Sequence, residues 1–497
     1  MKIPRIIHPF LFAIFPLISL FSHNIAELPI ISPDSINLIC NPAIIAIFFV
    51  ILFLVIFTII LKDSYKAAIL VSVAIIIFFS YGHLIKIISK SIGLDICFLS
   101  EESKFVFLKY YISICAVLLV FIAYILYRFF SNIFALTRIF NIISITLLII
   151  PFINIICYGI GRIHFSHIFD NGKIEISENN VKAINRLPDI YYIILDGYCS
   201  DEVLNNYYHY NNQEFINFLK KKNFYIASKS KSNYAFTLLS VASSLNFEYL
   251  DRLNKKLGSS KDLTIPLKMI RNNKTSRFLK TKGYKFIHMG CFTSERYSGI
   301  FVDLLIQTTM AEPFLSRFGY DRFTDKRNYV FYQFSRLAQL HKMKEPFFVY
   351  AHILLPHSPY VFGANGEKIA KEDNCSEEEI NAYYVNQVSY VNKQVEKLVE
   401  EILSNSDRSP VIILQADHGQ GNNRVARMSI LNAYYFPEGE DKALYEHITP
   451  VNTFRIILNR YFGTDYKLLD DHSYFSWWGP SEKPYNFIDV TGELTNN

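Results

Sequence analysis

Hydrophobic positions are unevenly distributed along the chain. Before residue 161 they form long runs separated by short charged patches, whereas the remainder resembles an ordinary globular domain. Four of the runs are long enough, at about 1.5 Å per residue, to cross a hydrocarbon core of about 30 Å as helices. A fifth run, at the start of the chain, is shorter and contains two prolines. The five predicted spans are 6–21, 44–61, 67–85, 110–127 and 139–160.

The first span carries the prediction of membrane orientation. Lys2 and Arg5 precede it, and residues 22–41, which follow it, contain no lysine or arginine. The later loops carry positive charge on both sides of the membrane and do not settle the orientation. The first span therefore sets it, and the positively charged end of that span is predicted to be cytoplasmic. No small-residue cleavage pattern follows it, which argues against a cleaved signal peptide. An odd number of spans then places everything after residue 161 on the extracytoplasmic side of the cytoplasmic membrane.

From about residue 185 the chain follows a different pattern, in which strand, turn and helix segments repeat. Three near-continuous apolar segments are typical of central strands that helices cover on both faces, and a fourth is weaker. The predicted strands are 188–195, 284–290, 347–355 and 410–416. A helix is predicted over 376–403, where Ser376 and Glu379 form a capping box. This order predicts an α/β fold with a mostly parallel sheet covered by helices on both faces.

These patterns divide the chain into a membrane domain of about five transmembrane helices (1–160), a linker (161–186) and an α/β domain (187–497). The composition agrees, since the 497-residue chain is 51% hydrophobic and has a mean hydropathy of +0.19. The net charge of +6 is dispersed, and the α/β domain has no basic run interleaved with aromatic residues, so nucleic-acid binding is not predicted. The seven cysteines include no CxxC pair, which predicts neither a disulfide framework nor a zinc ribbon.

Metal-binding residue types follow three of the predicted strands. Asp196 ends strand 188–195, strand 347–355 runs into His352 and His357, and Asp417 and His418 end strand 410–416. Ligands of such sheets bind beyond the carboxyl ends of the strands. Any one of these residues alone is as typical of a turn or a helix cap. Because three strand ends deliver them to one edge, we predict a metal site there.

Thr237 provides a candidate nucleophile. The segment "SKSNYAFTLLSVASSLN" (230–246) changes from polar residues to a small-residue helix, with Thr237 at or near its amino end. The unpaired N–H groups and the positive dipole end of a helix favour an alkoxide and hold an anionic phosphoryl group. The alternative is that Thr237 only caps the helix, and the two roles are compatible.

These motifs resemble the alkaline phosphatase superfamily, specifically its membrane-anchored branch of sulfatase-like hydrolases and transferases, which includes lipoteichoic acid synthases and phosphoethanolamine transferases. The resemblance covers about residues 188–436 through "YYIILDGY", "SNYAFTLLSVASSLN", "LLPHSPYVF" and "VIILQADHG". It implies that Asp196, Thr237, Asp417 and His418 bind one divalent metal ion. It also implies that Thr237 is the nucleophile and that His357 contacts the substrate or the leaving group.

Two departures from the family pattern affect the expected chemistry. Sulfatases carry a Cys or Ser in a C/S-x-P-x-R pattern, whereas "TLLSV" (237–241) has a threonine and lacks both the proline and the arginine. This argues against sulfate ester hydrolysis. Lipoteichoic acid synthases have a glutamate where this chain has Asp196.

The mixed oxygen and nitrogen ligands favour Mn²⁺ or Zn²⁺, with Mg²⁺ as the remaining alternative. A second cation would need His288, His352 or His357, and His352 is interpreted as a core histidine.

The resulting hypothesis is a two-step phosphotransferase. Thr237 attacks the phosphorus of a lipid or glycan phosphodiester, and His357 assists the departing or incoming oxygen. The membrane anchor favours a phospholipid head group as the transferred group and an envelope glycan or lipid as its acceptor. The alternatives are a phosphodiesterase, phosphatase or sulfatase-like hydrolase that uses water, and a non-catalytic membrane protein of envelope assembly. Arg296, Arg424 and Arg427 are candidates for binding anionic oxygens, although a surface position is favoured for each.

Overall fold

A computed structural model of the protein describes most of the chain and divides it into two compact units. Unit 1 comprises Met1–Asp170 and Ser294–Arg322, and unit 2 comprises Asn171–Thr293 and Phe323–Asn497. The sequence prediction placed the segment Ser294–Arg322 in the α/β domain, and its membership of unit 1 was not anticipated. The described residues are 5–23, 33–91, 101–129, 133–168, 187–258, 260, 263–290, 294–317, 322–369, 375–421, 423–437, 439, 442–476 and 483–495.

The amino-terminal part of unit 1 is helical. Its helices are α1 (His8–His23), α2 (Pro33–Leu61), α3 (Ser64–Ser91), α4 (Glu101–Phe129) and α5 (Phe134–Ile168). In the described part of the chain, four helices are long and apolar enough to cross a membrane: Ile39–Leu61, Ser64–Ile88, Phe105–Phe129 and Phe134–Cys157. Their outer faces expose large apolar side chains such as Ile59 (72%) and Ile150 (73%), as expected of lipid contact.

Helix α1 coincides with the predicted span at the start of the chain (6–21) and is shorter than the helices of the other four predicted spans. It has 16 residues, which corresponds to about 24 Å and is less than the hydrocarbon thickness. Its first turn is held by Asn141 of α5, whose side-chain oxygen accepts hydrogen bonds from the backbone N–H groups of Ile7 and His8 (3.4 and 3.1 Å). The orientation argument depends on this helix, because four spans would return the chain to its starting side.

The remaining helices follow in chain order: α6 (Asp201–Tyr208), α7 (Gln213–Lys221), α8 (Thr237–Asn246), α9 (Asp251–Leu257), α10 (Thr264–Arg271), α11 (Lys274–Thr281), α12 (Ser294–Gln307), α13 (Ala311–Arg317), α14 (Arg322–Gln339), α15 (Glu377–Asn405), α16 (Arg424–Met428), α17 (Pro450–Phe462) and α18 (Thr491–Thr495). Helix α15 confirms the predicted helix and its capping box at Ser376 and Glu379.

Unit 2 is built on one mixed sheet. Its strands, with a separate hairpin formed by the last two, are β1 (Ile190–Leu195), β2 (Tyr225–Ile226), β3 (Lys285–Met289), β4 (Phe347–Ile353), β5 (Val411–Gln415), β6 (Asn432–Tyr435), β7 (Tyr474–Phe475) and β8 (Ile488–Asp489). The six-stranded order is β2-β6-β5-β1-β4-β3. Strands β3, β4, β1 and β5 are parallel. At one edge, β6 pairs antiparallel with β5, and β2 pairs antiparallel with β6. The predicted mostly parallel sheet is therefore confirmed.

Helices cover both faces of this sheet. Side chains of a strand alternate between its two faces. On one face, Ile193 belongs to a core that includes Leu337 of α14 and Val391 of α15. On the other face, the ring of Tyr192 packs against Phe454 of α17 with centroids 5.0 Å apart. All six residues of β1 are buried, which explains why the strand sequence is continuously apolar rather than alternating.

The amino ends of the central strands are joined by a buried ion pair. Asp189, which precedes β1 and is 2% exposed, accepts a hydrogen bond from Nε of Arg408 at 3.0 Å. The same guanidinium donates to the backbone carbonyls of Met343, Lys344 and Glu345, ahead of β4. This contact lies at the edge of the sheet opposite the carboxyl ends of its parallel strands.

Replacing Arg408 should therefore destabilise the fold. Arg408→Ala leaves the Asp189 carboxylate buried without its charged partner, and we expect a loss of about 3 kcal/mol in the free energy of unfolding. Urea unfolding of the detergent-solubilised chain measures this loss. Arg336→Ala, which removes an exposed arginine of α14, is the matched control. Equal stability of the two variants would contradict the prediction.

Candidate active site

The strand register brings Asp196, Asp417 and His418 together. Leu195 of β1 pairs with Ile353 of β4, and Ile194 pairs with Gln415 of β5, so the carboxyl ends of the three strands are level. Nε2 of His418 lies 3.7 Å from Oδ1 of Asp196 and 3.4 Å from Oδ2 of Asp417. The exposed fractions of these three residues are 4% or less.

Thr237 reaches the same place from the amino end of α8. It is the first residue of that helix, the N-cap position is Phe236, and the cap has no side-chain hydrogen bond. Its hydroxyl oxygen lies 3.0 Å from Nε2 of His418. The hydroxyl group is therefore directed to the site rather than used as a helix cap.

Helix α8 is fixed by its own serines. The hydroxyl of Ser240 donates to the backbone carbonyl of Asp417 at 2.7 Å, and the hydroxyls of Ser244 and Tyr192 lie 2.6 Å apart. The small residues of "LLSVASSLN" thus let the helix lie close against β1 and the loop after β5. This packing holds Thr237 in register with the strand ends.

His418 is held in one tautomer. Its Nδ1 lies 2.9 Å from the carbonyl oxygen of Gly419, and since a carbonyl only accepts, Nδ1 carries the proton and Nε2 presents a lone pair. Burial, together with the nearby Arg427, lowers the pKa of His418 to about 4. The imidazole is therefore neutral at pH 7 and suited to metal binding.

The arrangement fits a bound cation. Oδ1 of Asp196 and Oδ2 of Asp417 are buried and have no hydrogen-bond partner among the described residues, and both approach the lone pair of His418. Buried carboxylate oxygens without partners are costly unless they are paired or coordinate a metal. The set of two carboxylates, one imidazole and one hydroxyl offers the hard oxygen and borderline nitrogen ligands that Mn²⁺, Zn²⁺ and Mg²⁺ accept. All four predicted ligands thus converge.

His357 lies beside this cluster in the loop that follows β4. Potential ligand atoms of Asp196, His357 and His418 lie within 4.8 Å of one another. Nδ1 of His357 donates to the carbonyl of Ser358 at 2.6 Å, which leaves Nε2 as its other ring nitrogen. Nζ of Lys326 donates to the carbonyl of His357 at 2.8 Å and fixes the loop from α14.

His352 is buried, as expected of a core histidine, but it also contacts the site. Its Nε2 donates to Oδ2 of Asp196 at 3.0 Å, and the hydroxyl of Tyr350 lies 3.0 Å from its Nδ1. Burial alone would raise the pKa of Asp196, but His357 and the bonded His352 outweigh it and lower that pKa. Burial would likewise lower the pKa of His352, and its bond to Asp196 raises it instead. By occupying Oδ2, His352 leaves Oδ1 of Asp196 directed at the cation position.

Arg427 also belongs to the site, contrary to the surface position favoured for it. Its guanidinium donates to the carbonyl oxygens of Ala235 and Gly419 and to Nε2 of His418, the last at 3.1 Å. Arg424, three residues earlier, has the favoured surface position and pairs there with Glu493. The side chain of Arg296 lies outside the described residues.

His288, the third histidine considered for a second cation, is on β3. Potential ligand atoms of Asp196, His352 and Asp417 also lie within 4.8 Å of one another, whereas His288 is in neither described group of this kind. Burial lowers the pKa of His288 to about 3. His352 was named from the sequence but interpreted as a core histidine, and its contact with Asp196 follows from the register, because it pairs with Ile194, two residues before Asp196. No sequence signal distinguishes Arg427 or Lys326 from a surface cation.

Comparison with known proteins agrees with the family resemblance. Residues 188–457, more than half of the chain, match the profile of the family described as Sulfatase. No curated protein sequence matches the chain.

Several solved structures resemble part of this chain. The C-terminal periplasmic domain of EcEptC from Escherichia coli in complex with Zn is 14% identical, with a TM-score of 0.43, and the match covers 63% of this chain and 95% of that one. The C-terminal periplasmic domain of phosphoethanolamine transferase EptC from Campylobacter jejuni is 11% identical, with a TM-score of 0.38, and the match covers 57% of this chain and 92% of that one. The phosphonate monoester hydrolase of Agrobacterium radiobacter is 11% identical, with a TM-score of 0.39, and the match covers 60% of this chain and 82% of that one.

The contact between His352 and Asp196 leads to a prediction about metal affinity. His352→Ala frees Asp196 to rotate, and loss of such an orienting partner weakens metal binding by about 10- to 100-fold. Titration calorimetry with Mn²⁺ and Zn²⁺ on the purified chain measures the change. His352→Gln, which can place an N–H near the carboxylate, should recover part of the affinity.

His341→Ala is the matched control, because His341 bonds only to a backbone carbonyl, that of Ala338, among its described hydrogen bonds. If His352→Ala and His341→Ala bind metal equally well, the orienting role of His352 is wrong.

Proposed function

Because the chain belongs to the sulfatase family, within the alkaline phosphatase superfamily, we propose that it is a membrane-anchored, metal-dependent phosphotransferase. It would move a phospho-head-group from a lipid donor to an envelope glycan or lipid through a Thr237 intermediate. The observation that carries this proposal is the Thr237 hydroxyl, 3.0 Å from Nε2 of a neutral, buried His418 that also faces two carboxylates.

The nucleophile type supports phosphoryl transfer over sulfate hydrolysis. The position is a threonine, and the segment 237–241 lacks the proline and arginine of the pattern that is matured to formylglycine in sulfatases. A threonine hydroxyl at the amino end of α8 lies where the helix dipole favours an alkoxide and an anionic phosphoryl group.

The first step would load Thr237. Its hydroxyl gives its proton to solvent, Oγ1 forms a bond to the phosphorus of the donor phosphodiester, and the bond from phosphorus to the lipid oxygen breaks. The lipid leaves as an alcohol, having taken a proton, and the head group remains on Thr237 as a phosphodiester. In the second step a hydroxyl of the acceptor gives its proton to His357 and attacks the same phosphorus. The bond from phosphorus to Oγ1 breaks, and Thr237 takes a proton back from solvent.

His357 is proposed to handle the proton of both steps. Its Nδ1 is held by the Ser358 carbonyl, so Nε2 is the atom that gives a proton to the departing oxygen and later takes one from the acceptor hydroxyl. Lys326 holds this loop through the His357 carbonyl. The guanidinium of Arg427 adds positive charge beside His418, where the anionic oxygens of the substrate would lie.

Asp196, Thr237, Asp417 and His418 are the residues that would hold the cation. When bound there, a divalent ion supplies Lewis-acid stabilisation of the charge on phosphoryl oxygens and lowers the pKa of the hydroxyl. Mn²⁺ or Zn²⁺ is favoured by the ligand set, with Mg²⁺ as the alternative.

The helices of unit 1 support a lipid donor. Four of them are long and apolar enough to cross a membrane, which would confine the enzyme to the surface where phospholipid head groups are abundant. The proposed placement of unit 2 on the extracytoplasmic side requires α1 to cross as well.

The Thr237 intermediate leads to a mass-spectrometric prediction. After incubation with Mn²⁺ and a candidate phospholipid, the intact chain should gain the mass of one phospho-head-group, and Thr237→Ala should gain none because the attacking oxygen is absent. Head-group transfer to a sugar or lipid acceptor should fall at least about 10³-fold in that variant.

Thr281→Ala is the control, since Thr281 ends α11 and bonds its own helix at the Phe278 carbonyl. An adduct that persists on Thr237→Ala would refute the assigned nucleophile. Release of the free head group without transfer to any acceptor would instead favour the hydrolase.

A further inference from the structure

The segment Ser294–Arg322 lies between two parts of unit 2 in the sequence, but it packs in unit 1. It leaves unit 2 shortly after β3, which ends at Met289, and returns at the start of α14. Its two helices, α12 and α13, contact α1, α2 and α4 of the membrane helices. The chain therefore passes between the units three times, once after Asp170 and twice at the ends of this segment.

The turn between α12 and α13 is hydrogen-bonded to the backbone of α3. The N–H of Gly82 donates to the carbonyl of Thr308 at 3.1 Å, and the N–H of Met310 donates to the carbonyl of Phe78 at 3.2 Å. Two backbone groups of the turn are thus paired with two groups one helical turn apart on α3. Such pairing requires the two backbones to approach closely.

Gly82 makes this approach sterically feasible. A Cβ at this position would lie 2.2 Å from the carbonyl oxygen of Gln307 and 2.8 Å from Cα of Thr308. These atoms are backbone and cannot move aside as the end of a flexible side chain could. Glycine is accordingly required at position 82 by the docked turn, as small residues are at close helix contacts in membranes.

Apolar side chains complete the contact on either side of the turn. Phe301 of α12 is 0% exposed and packs against Leu20 and Phe21 of α1. Met310 packs against a buried cluster that includes Tyr81 of α3 and Leu108 of α4. The segment is therefore embedded among the membrane helices by both hydrogen bonds and apolar burial.

We propose that Ser294–Arg322 is a second, non-covalent membrane anchor of unit 2, and that its partner is the α1, α3 and α4 surface of the same chain. This anchor is independent of the linker and of the proposed reaction. Once the linker is cut, unit 2 remains attached because its own inserted helices stay docked on the spans.

Cleavage of the linker in the full-length chain tests this proposal. A recognition sequence for a site-specific protease is placed within residues 171–186, the chain is cut in isolated membranes, and the membranes are washed with high salt and sedimented. The carboxy-terminal fragment should sediment with the amino-terminal fragment. Release of most of that fragment by cutting alone would overturn the proposal.

Gly82→Val tests whether the turn docked on α3 is the contact that retains the cut fragment on the membrane. Its side chain cannot fit beneath the turn, so the cut fragment should lose most of its membrane retention. Ser80→Val is the matched control, because the Ser80 hydroxyl is exposed and bonds only its own helix, at Ile76, among its described hydrogen bonds. This control should retain the fragment like the parent.

Phe301→Ala is the second variant, for the case in which Gly82→Val fails to accumulate. It removes the ring that packs on α1 and should also increase release after cutting. Retention of the cut fragment in both Gly82→Val and Phe301→Ala would show that another contact, or the lipid itself, holds unit 2, and the proposal would be wrong.

Discussion

Unit 2 depends on the parallel pairing of β1 with both β4 and β5. Ile194 pairs with His352 on one side and with Gln415 on the other. Asp196 lies two residues beyond Ile194, on the same face as His352, so their side chains meet. A shift of one residue in either pairing would turn the side chains to the opposite face. The backbone ladder, rather than any single side chain, therefore determines that the site exists.

Charge balance distinguishes the site from the polar groups beneath it. Nε2 of Gln415 donates to the hydroxyl of Tyr192, and the hydroxyl of Thr453 donates to Oε1 of Gln415. This buried network is satisfied by the protein itself. The carboxylates of Asp196 and Asp417 are the contrast, since each keeps one buried oxygen without a hydrogen-bond partner in the described structure. The fold has thus removed water from two anions without supplying enough donors, which is the environment that retains a cation.

Much of this arrangement could be predicted from the sequence, because strand ends are visible as abrupt changes from apolar to polar residues. Asp196, Asp417 and His418 were found in that way, and Thr237 from the start of a small-residue helix. Arg427 was named as a candidate for binding anionic oxygens, but its place beside His418 was not predicted, because a lone arginine after a turn carries no mark of burial. The docking of Ser294–Arg322 also left no local signal. It depends on Gly82, more than 200 positions earlier in the chain, and on contacts that no periodicity within the segment encodes.

The inserted segment has a practical consequence for isolating unit 2. A shortened chain that begins at residue 187 would still contain α12 and α13 but not the spans that cover them. The fully buried Phe301 and the partly buried Met310 would then face water, and complete burial of a side chain of this size contributes roughly 2 kcal/mol. Such a protein would tend to aggregate or to bind detergent for reasons unrelated to its chemistry. A soluble enzyme would have to be assembled from two separate stretches, 187–293 and 323–497, joined by a short bridge.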